Sequence, residues 1–137
     1  MKQILVVSDN DMVRQVVRGC LIDPNLEVKE LSSGKEVVNN LNAVDLIVLD
    51  FQIGNMGGMA VCMELHLEES LGNIPNIPVL MLLDRRADVF LARRCHVKGW
   101  ILKPLSSFRL QEAVKLLLNG DTYYDNSYCP ETVLLKS

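Results

Sequence analysis

Three side chains in this chain have the types and positions to do chemistry together. Asp50 closes the apolar run Leu46-Ile47-Val48-Leu49, Asp9 ends the equivalent Ile4-to-Val7 run, and Lys103 ends Trp100-Ile101-Leu102. Continuous apolar runs suit strands covered on both faces, as in parallel α/β sheets, whose ligands bind outside the carboxyl ends of the strands. The two carboxylates and the lysine are therefore expected at one sheet edge. Converging acids call for a hard cation, and Mg²⁺ typically takes one or two carboxylates plus water and phosphate oxygens. Lys103 would then help to hold a phosphoryl group. A nucleotide or flavin phosphate instead needs a glycine- or hydroxyl-rich turn after the first strand, because the ligand is itself an anion. That turn reads Ser8-Asp9-Asn10-Asp11, and the glycine cluster from Gly54 to Gly58 follows the third strand without dinucleotide spacing. A flavin- or nucleotide-binding enzyme is disfavoured.

The elements that must position these residues alternate along the chain. Apolar strands also fall at 79–83 and 100–102, and Glu27-Val28-Lys29-Glu30-Leu31 alternates polar and apolar, as suits a half-exposed edge strand. Helices are expected at about 10–20, opened by Asn10 or Asp11, and at 34–41 and 58–70. Two more are expected at 84–95, with Asp84 as N-cap, and at 106–118, capped by Ser106 or Ser107. Gly72, Pro75, Pro78 and Gly120 punctuate the joins.

The 137 residues, 49% of them hydrophobic, suffice for one globular domain without disulfide or metal staples. No apolar run approaches membrane-spanning length and no signal peptide is recognisable, so a cytoplasmic location without membrane contact is expected. Cys20, Cys62, Cys95 and Cys129 form no Cys-x-x-Cys pair and read as buried, reduced thiols. The net charge of −3 provides no electrostatic footprint for nucleic acid on this segment. Contact with DNA would require a domain that this chain does not contain.

Several motifs in order resemble the receiver domains of two-component response regulators across residues 2–119. They are the strand ending in Asp50 with Gly58 eight residues on, Pro78-Val79-Leu80-Met81-Leu82, and Gly99-Trp100-Ile101-Leu102-Lys103-Pro104. The resemblance implies a flavodoxin-like, doubly wound α/β fold with a five-stranded parallel sheet in order 2-1-3-4-5 and helices on both faces. It makes Asp50 the phosphoryl acceptor, a nucleophile toward the phosphohistidine of a histidine kinase or phosphotransfer protein. It assigns Mg²⁺ to Asp9, Asp50 and the backbone carbonyl of Gln52, and the phosphoryl oxygens to Lys103. The Lys103-Pro104 peptide is commonly cis in this family. Receivers are signalling domains, so no enzyme activity is expected.

Departures from the family pattern are equally specific. Ser8 replaces the first of two adjacent acids, which should weaken Mg²⁺ binding, and capping is the favoured role for Asp11 over compensation through a water. Leu83 replaces the family's Thr or Ser, and no hydroxyl residue occurs between Ser70 and Ser106. That removes roughly 1.5–3 kcal/mol of hydrogen bonding to a charged group. Asp84 replaces a small residue and would repel an incoming phosphoryl group unless it caps the helix. Trp100 occupies the position of a switch aromatic, although a static, partly exposed indole is favoured. Leu83, Asp84 and Trp100 thus make up an altered switch.

Arg85, Arg86, Arg93 and Arg94 read first as a solvated basic face. The family would use the 84–118 surface for homodimerisation or output. His66 and His96 read as surface or helix-end residues. Residues 120–137, with all three tyrosines, read as a linker similar to those that lead to LuxR-like helix-turn-helix DNA-binding modules, or as a tail packed on its own domain. The favoured function is an atypical receiver for transcriptional or other signalling. The alternative is a pseudo-receiver that binds partners without phosphorylation.

Overall fold

A computed structural model of the chain describes residues 1–53 and 57–125. Six parallel strands form one sheet in the order β2-β1-β3-β4-β5-β6. They are β1 Lys2–Val7, β2 Leu26–Leu31, β3 Leu46–Asp50, β4 Val79–Leu83, β5 Gly99–Leu102 and β6 Tyr123–Tyr124. Helices α1 Asp11–Cys20, α2 Gly58–Ser70, α3 Asp88–Arg94 and α4 Ser107–Leu118 connect them. The five strands and their order match expectation, whereas β6 is an addition. It is a two-residue strand inside the segment expected to be linker or tail.

Strand alternation sorts the buried side chains into two cores. Leu5, Val7, Ile47, Leu49, Met81 and Leu83 face α2 and α3, through Val61, Cys62, Leu65, Val89 and Ala92. Ile4, Val6, Leu46, Val48, Leu80, Leu82 and Ile101 face α1 and α4, through Val17, Leu21, Leu110, Ala113 and Leu117. Both faces of β3 are thus consumed, which explains its unbroken apolar sequence. Each fully buried aliphatic side chain contributes about 1.5–3 kcal/mol. With β2 at the sheet edge, its alternation leaves Glu27 and Lys29 exposed.

Two helix expectations require correction. The 34–41 stretch forms two short 3₁₀ turns, Gly34–Glu36 and Val38–Asn40, with Ser33 capping the first. The helix expected at 84–95 is α3, which starts only at Asp88. Asp84 therefore does not cap it. The Asp88 carboxylate instead folds back on the preceding turn, accepting from Arg85 N at 3.1 Å. Helix α1 opens as expected, with the Asn10 side-chain Oδ1 accepting from Met12 N and Val13 N. Asp11 is not the cap; it lies in the first turn and pairs with Arg14. Ser106 accepts from Arg109 N and opens α4.

Cys62 and Cys95 are buried free thiols, and Cys20 is a half-buried one. Cys129 and Gly54 lie outside the described residues. Among the described residues, no helix is long and apolar enough to cross a membrane.

Candidate functional site at the carboxyl edge

The register of β1 on β3 pairs Val7 with Leu49, so the residues just past both strands emerge side by side. Asp50, the last residue of β3, is only 2% exposed. A carboxylate this deep needs several hydrogen-bond donors to offset its lost hydration. It has three. Lys103 Nζ lies 2.9 Å from Oδ1, the Gln52 N–H donates to the same oxygen at 3.2 Å, and the Ser8 hydroxyl donates to Oδ2 at 2.7 Å. Short distances to an ionised acceptor mark charge-assisted hydrogen bonds. Ser8 is itself fully buried, and its oxygen accepts from Asn10 N, which orients the hydroxyl toward Asp50.

Lys103 reaches the site because β5 lies beside β4, with Leu83 opposite Leu102, and because the Lys103 N–H donates to Leu83 O at 2.8 Å. The following Lys103–Pro104 peptide is cis. Its ammonium bridges Asp50 and Asp84, the latter at 3.0 Å. Burial disfavours the charge on Lys103, but hydrogen bonds and charges from Asp50 and Asp84 outweigh it and hold its pKa above the usual lysine value. Asp84 therefore points toward Lys103, not away from it.

Gly58 has a geometric reason for its place in the motif. A Cβ there would lie 2.9 Å from Phe51 Cα and 3.3 Å from Asp50 O, so only glycine lets the start of α2 close over the turn after Asp50. The Gly58 N–H donates to Phe51 O at that contact.

Leu83 is fully buried in the core with Trp100, Leu102 and Val89. Trp100 is only 5% exposed, which corrects the expectation of a partly exposed indole. The covering group is Tyr124 of β6, whose ring centroid lies 4.4 Å from that of Trp100, and Arg93 stands over the indole at 5.8 Å. The tyrosine-rich stretch lacks the apolar periodicity of a strand, so nothing local in the sequence marks it as the cover of Trp100. His66 is exposed, as expected, but its Nε2 contacts Cys95 O at 2.5 Å.

Asp9 is exposed, immediately before Asn10 and α1. Among the described residues, no group of three or more His, Cys, Asp or Glu side chains is arranged to hold a metal. Asp9 follows β1 and Asp50 ends the neighbouring β3, so this edge carries the carboxylate oxygens that a hard cation such as Mg²⁺ takes together with water and phosphate oxygens. The Ser8 hydroxyl already engages one Asp50 oxygen.

The response regulator receiver domain model matches residues 4–115. The chain belongs to the response regulator receiver domain family. It is 30% identical over 121 residues to the probable transcriptional regulator ycf27 of Cyanophora paradoxa, covering 85% of this chain and 48% of that protein. To the nitrate/nitrite response regulator protein NarP of Escherichia coli (strain K12) it is 28% identical, covering 94% of this chain and 62% of NarP. The chain thus spans about half to three-fifths of the length of these curated relatives. Among solved structures, the signal receiver domain of a signal transduction histidine kinase from Syntrophus aciditrophicus superposes with a TM-score of 0.75. It is 28% identical, covering 88% of this chain and 92% of that one.

Proposed function

We propose that this chain receives a phosphoryl group on Asp50 from the phosphohistidine of a histidine kinase or phosphotransfer protein. The observation that carries this reading is the Asp50–Lys103 pair: a carboxylate 2% exposed at the end of the central strand, with an ammonium 2.9 Å away. An Asp50 oxygen attacks phosphorus, the O–P bond forms as the P–N bond to histidine breaks, and the histidine leaves with the electron pair. The product is an acyl phosphate. Lys103 is placed to exchange its contact with the carboxylate for one with the phosphoryl oxygens, so positioning and charge neutralisation supply the catalysis. Asp9, Asp50 and the Gln52 carbonyl are the residues that would hold Mg²⁺. When bound, the cation neutralises charge on the transferring group.

Ser8 and Asp84 modify this scheme. Ser8 supplies a hydrogen bond where a carboxylate would supply charge, so Mg²⁺ binding is weak, as titration calorimetry will show. Asp84 competes for Lys103 and must yield it, at least in part, to the phosphoryl group. The signal passes through the 84–118 surface to a homodimer partner or an output module. In this reading residues 1–119 form the receiver unit and 120–137 a linker or C-terminal tail. NarP and ycf27 carry regulator names, which supports a role in transcription exerted through a DNA-binding region outside this chain. The setting is cytoplasmic.

Intact mass after incubation with a small phosphodonor and Mg²⁺ tests the reading. The mass of one phosphoryl group should be added, labile to hydroxylamine as an acyl phosphate is. No addition from any donor, with partner binding retained, would replace this reading with that of a pseudo-receiver.

A further inference from the structure

Asp125 is a further buried carboxylate, held at the end of β5, and the transfer scheme does not use it. It is 3% exposed. Its Oδ2 accepts from Leu102 N at 3.0 Å and lies 3.6 Å from Arg109 Nη1 of α4. Its own N–H donates to Trp100 O at 3.1 Å. A carboxylate is buried at such a position only when fixed donors compensate for its lost hydration.

The amide that Asp125 holds is next to the site. Leu102 ends β5, and successive amides of a strand point to opposite sides. Leu102 N is directed outward to Asp125, whereas the next amide, Lys103 N, is directed inward to Leu83 O. The end of β5 is thus gripped from both sides at the residue before Lys103, whose side chain pairs with Asp50.

The sequence also makes room for this grip. A Cβ on Gly99 would lie 2.6 Å from Tyr123 O, so β6 can lie against β5 only because residue 99 is glycine. Tyr123 N donates to Lys98 O, Tyr124 packs on Trp100, and Asp125 then reaches Leu102.

We propose that Asp125 is a positioning residue: by clamping the end of β5 from outside, it aims Lys103 at Asp50 and couples the 123–125 strap to the acceptor site. The proposal rests on the reading of Asp50 as phosphoryl acceptor. The coupling is reciprocal, as linkage requires. A phosphoryl group that redirects Lys103 biases the docking of the strap, and a docked strap favours the lysine geometry that receives the group.

The test compares the full chain with Asp125→Ala, Asp125→Asn and Gly99→Ala by residue-resolved amide hydrogen exchange without phosphodonor. Amides of β1 serve as the folding control. In Asp125→Ala, Leu102 N and Lys103 N should both exchange about tenfold faster or more. Asp125→Asn keeps a carbonyl acceptor for Leu102 N and should recover most of the protection. Gly99→Ala displaces β6 while leaving Asp125 in the chain, and should reproduce the loss. If Leu102 N alone accelerates and Lys103 N keeps its parental rate, Asp125 is a local cap and the proposal is overturned.

A second arm follows the initial rate of phosphoryl addition from a small phosphodonor with Mg²⁺. The rate should fall about tenfold in Asp125→Ala, as misplacement of a positioned group implies, with Asp125→Asn intermediate. A parental rate in Asp125→Ala overturns the positioning role. If the parent chain itself gains no phosphoryl group, the acceptor reading fails, while exchange at Lys103 still decides whether the strap holds the turn.

Discussion

Asp50 and Asp88 are both buried carboxylates near the carboxyl ends of neighbouring strands, yet they are held in opposite ways. Asp88 is fully buried, and it is held from three residues away: Arg85 N on one oxygen and the Arg85 guanidinium on the other. Asp50 is held by Ser8, Lys103 and the Gln52 amide, and the first two are 42 and 53 residues away. A carboxylate satisfied by its own turn fastens that turn. One satisfied from three separate loops reports on how those loops are placed, and a change in its charge is felt by all of them. That difference makes Asp50 suited to signalling and Asp88 suited to starting a helix.

The largest expected effect separates the two roles outright. Asp50→Asn keeps the shape and most hydrogen bonds of the site but removes the nucleophile, so phosphoryl addition should be abolished, as read by intact mass. Label surviving in that variant would place the acceptor elsewhere.

Removing the distant cation comes next. Lys103→Ala should slow phosphoryl addition by about 10²-fold, the scale of losing one preorganised charge-stabilising donor. Single-turnover labelling with a small phosphodonor reads this without a kinase. A rate within a few-fold of the parent would show that the Asp50–Lys103 pair serves folding alone, as the Asp88–Arg85 pair does.

A smaller effect concerns the altered switch between the two carboxylates. Leu83→Thr removes apolar volume from a fully buried position, at about 1–3 kcal/mol in stability, and supplies a hydroxyl at the end of β4, the strand beside β3. Combining it with Asp84→Ala also frees Lys103 from its second carboxylate. The double variant should raise phosphorylation yield several-fold, measured beside urea unfolding. A folded double variant with no gain would shift the cause of the atypical site to Ser8 or Trp100.

These residues also show what could be read from the chain. The strands and the Asp50–Lys103 edge followed from continuous apolar runs, because a doubly covered strand leaves an unambiguous hydrophobic signature, whereas the strand order came from the resemblance to receiver domains. The 34–41 stretch carried helical composition, but it closes as two 3₁₀ turns with Gly34 and Val37 buried. Composition does not register that tertiary constraint. Asp84 looked like a cap because acids precede helices, and nothing local announces that Lys103 competes for it. Asp125 lay in a polar, tyrosine-rich stretch without periodicity. Its only advance signal was Gly99, read as part of a motif although its lack of a side chain also admits β6. Ser8 was read as a missing acid, and its hydrogen bond to Asp50 emerges only once β1 and β3 are adjacent.

The smallest effect tests the Asp88 side of the comparison. Asp88→Ala leaves Arg85 N without its carboxylate acceptor at the turn opening α3, a loss on the scale of a helix cap, about 0.5–2 kcal/mol. Neither Arg85 nor Asp88 contacts Asp50 through any hydrogen bond or ion pair described above, so phosphoryl addition should proceed at the parental rate. Urea unfolding with an unchanged m-value would confine the loss to stability. A fall in labelling as large as that of Lys103→Ala, in a chain still folded under the assay conditions, would mean that the α3 turn transmits strain to Asp84 and Lys103. The two carboxylates would then belong to one coupled unit, and the contrast between a local cap and a fold-assembled acceptor would fail.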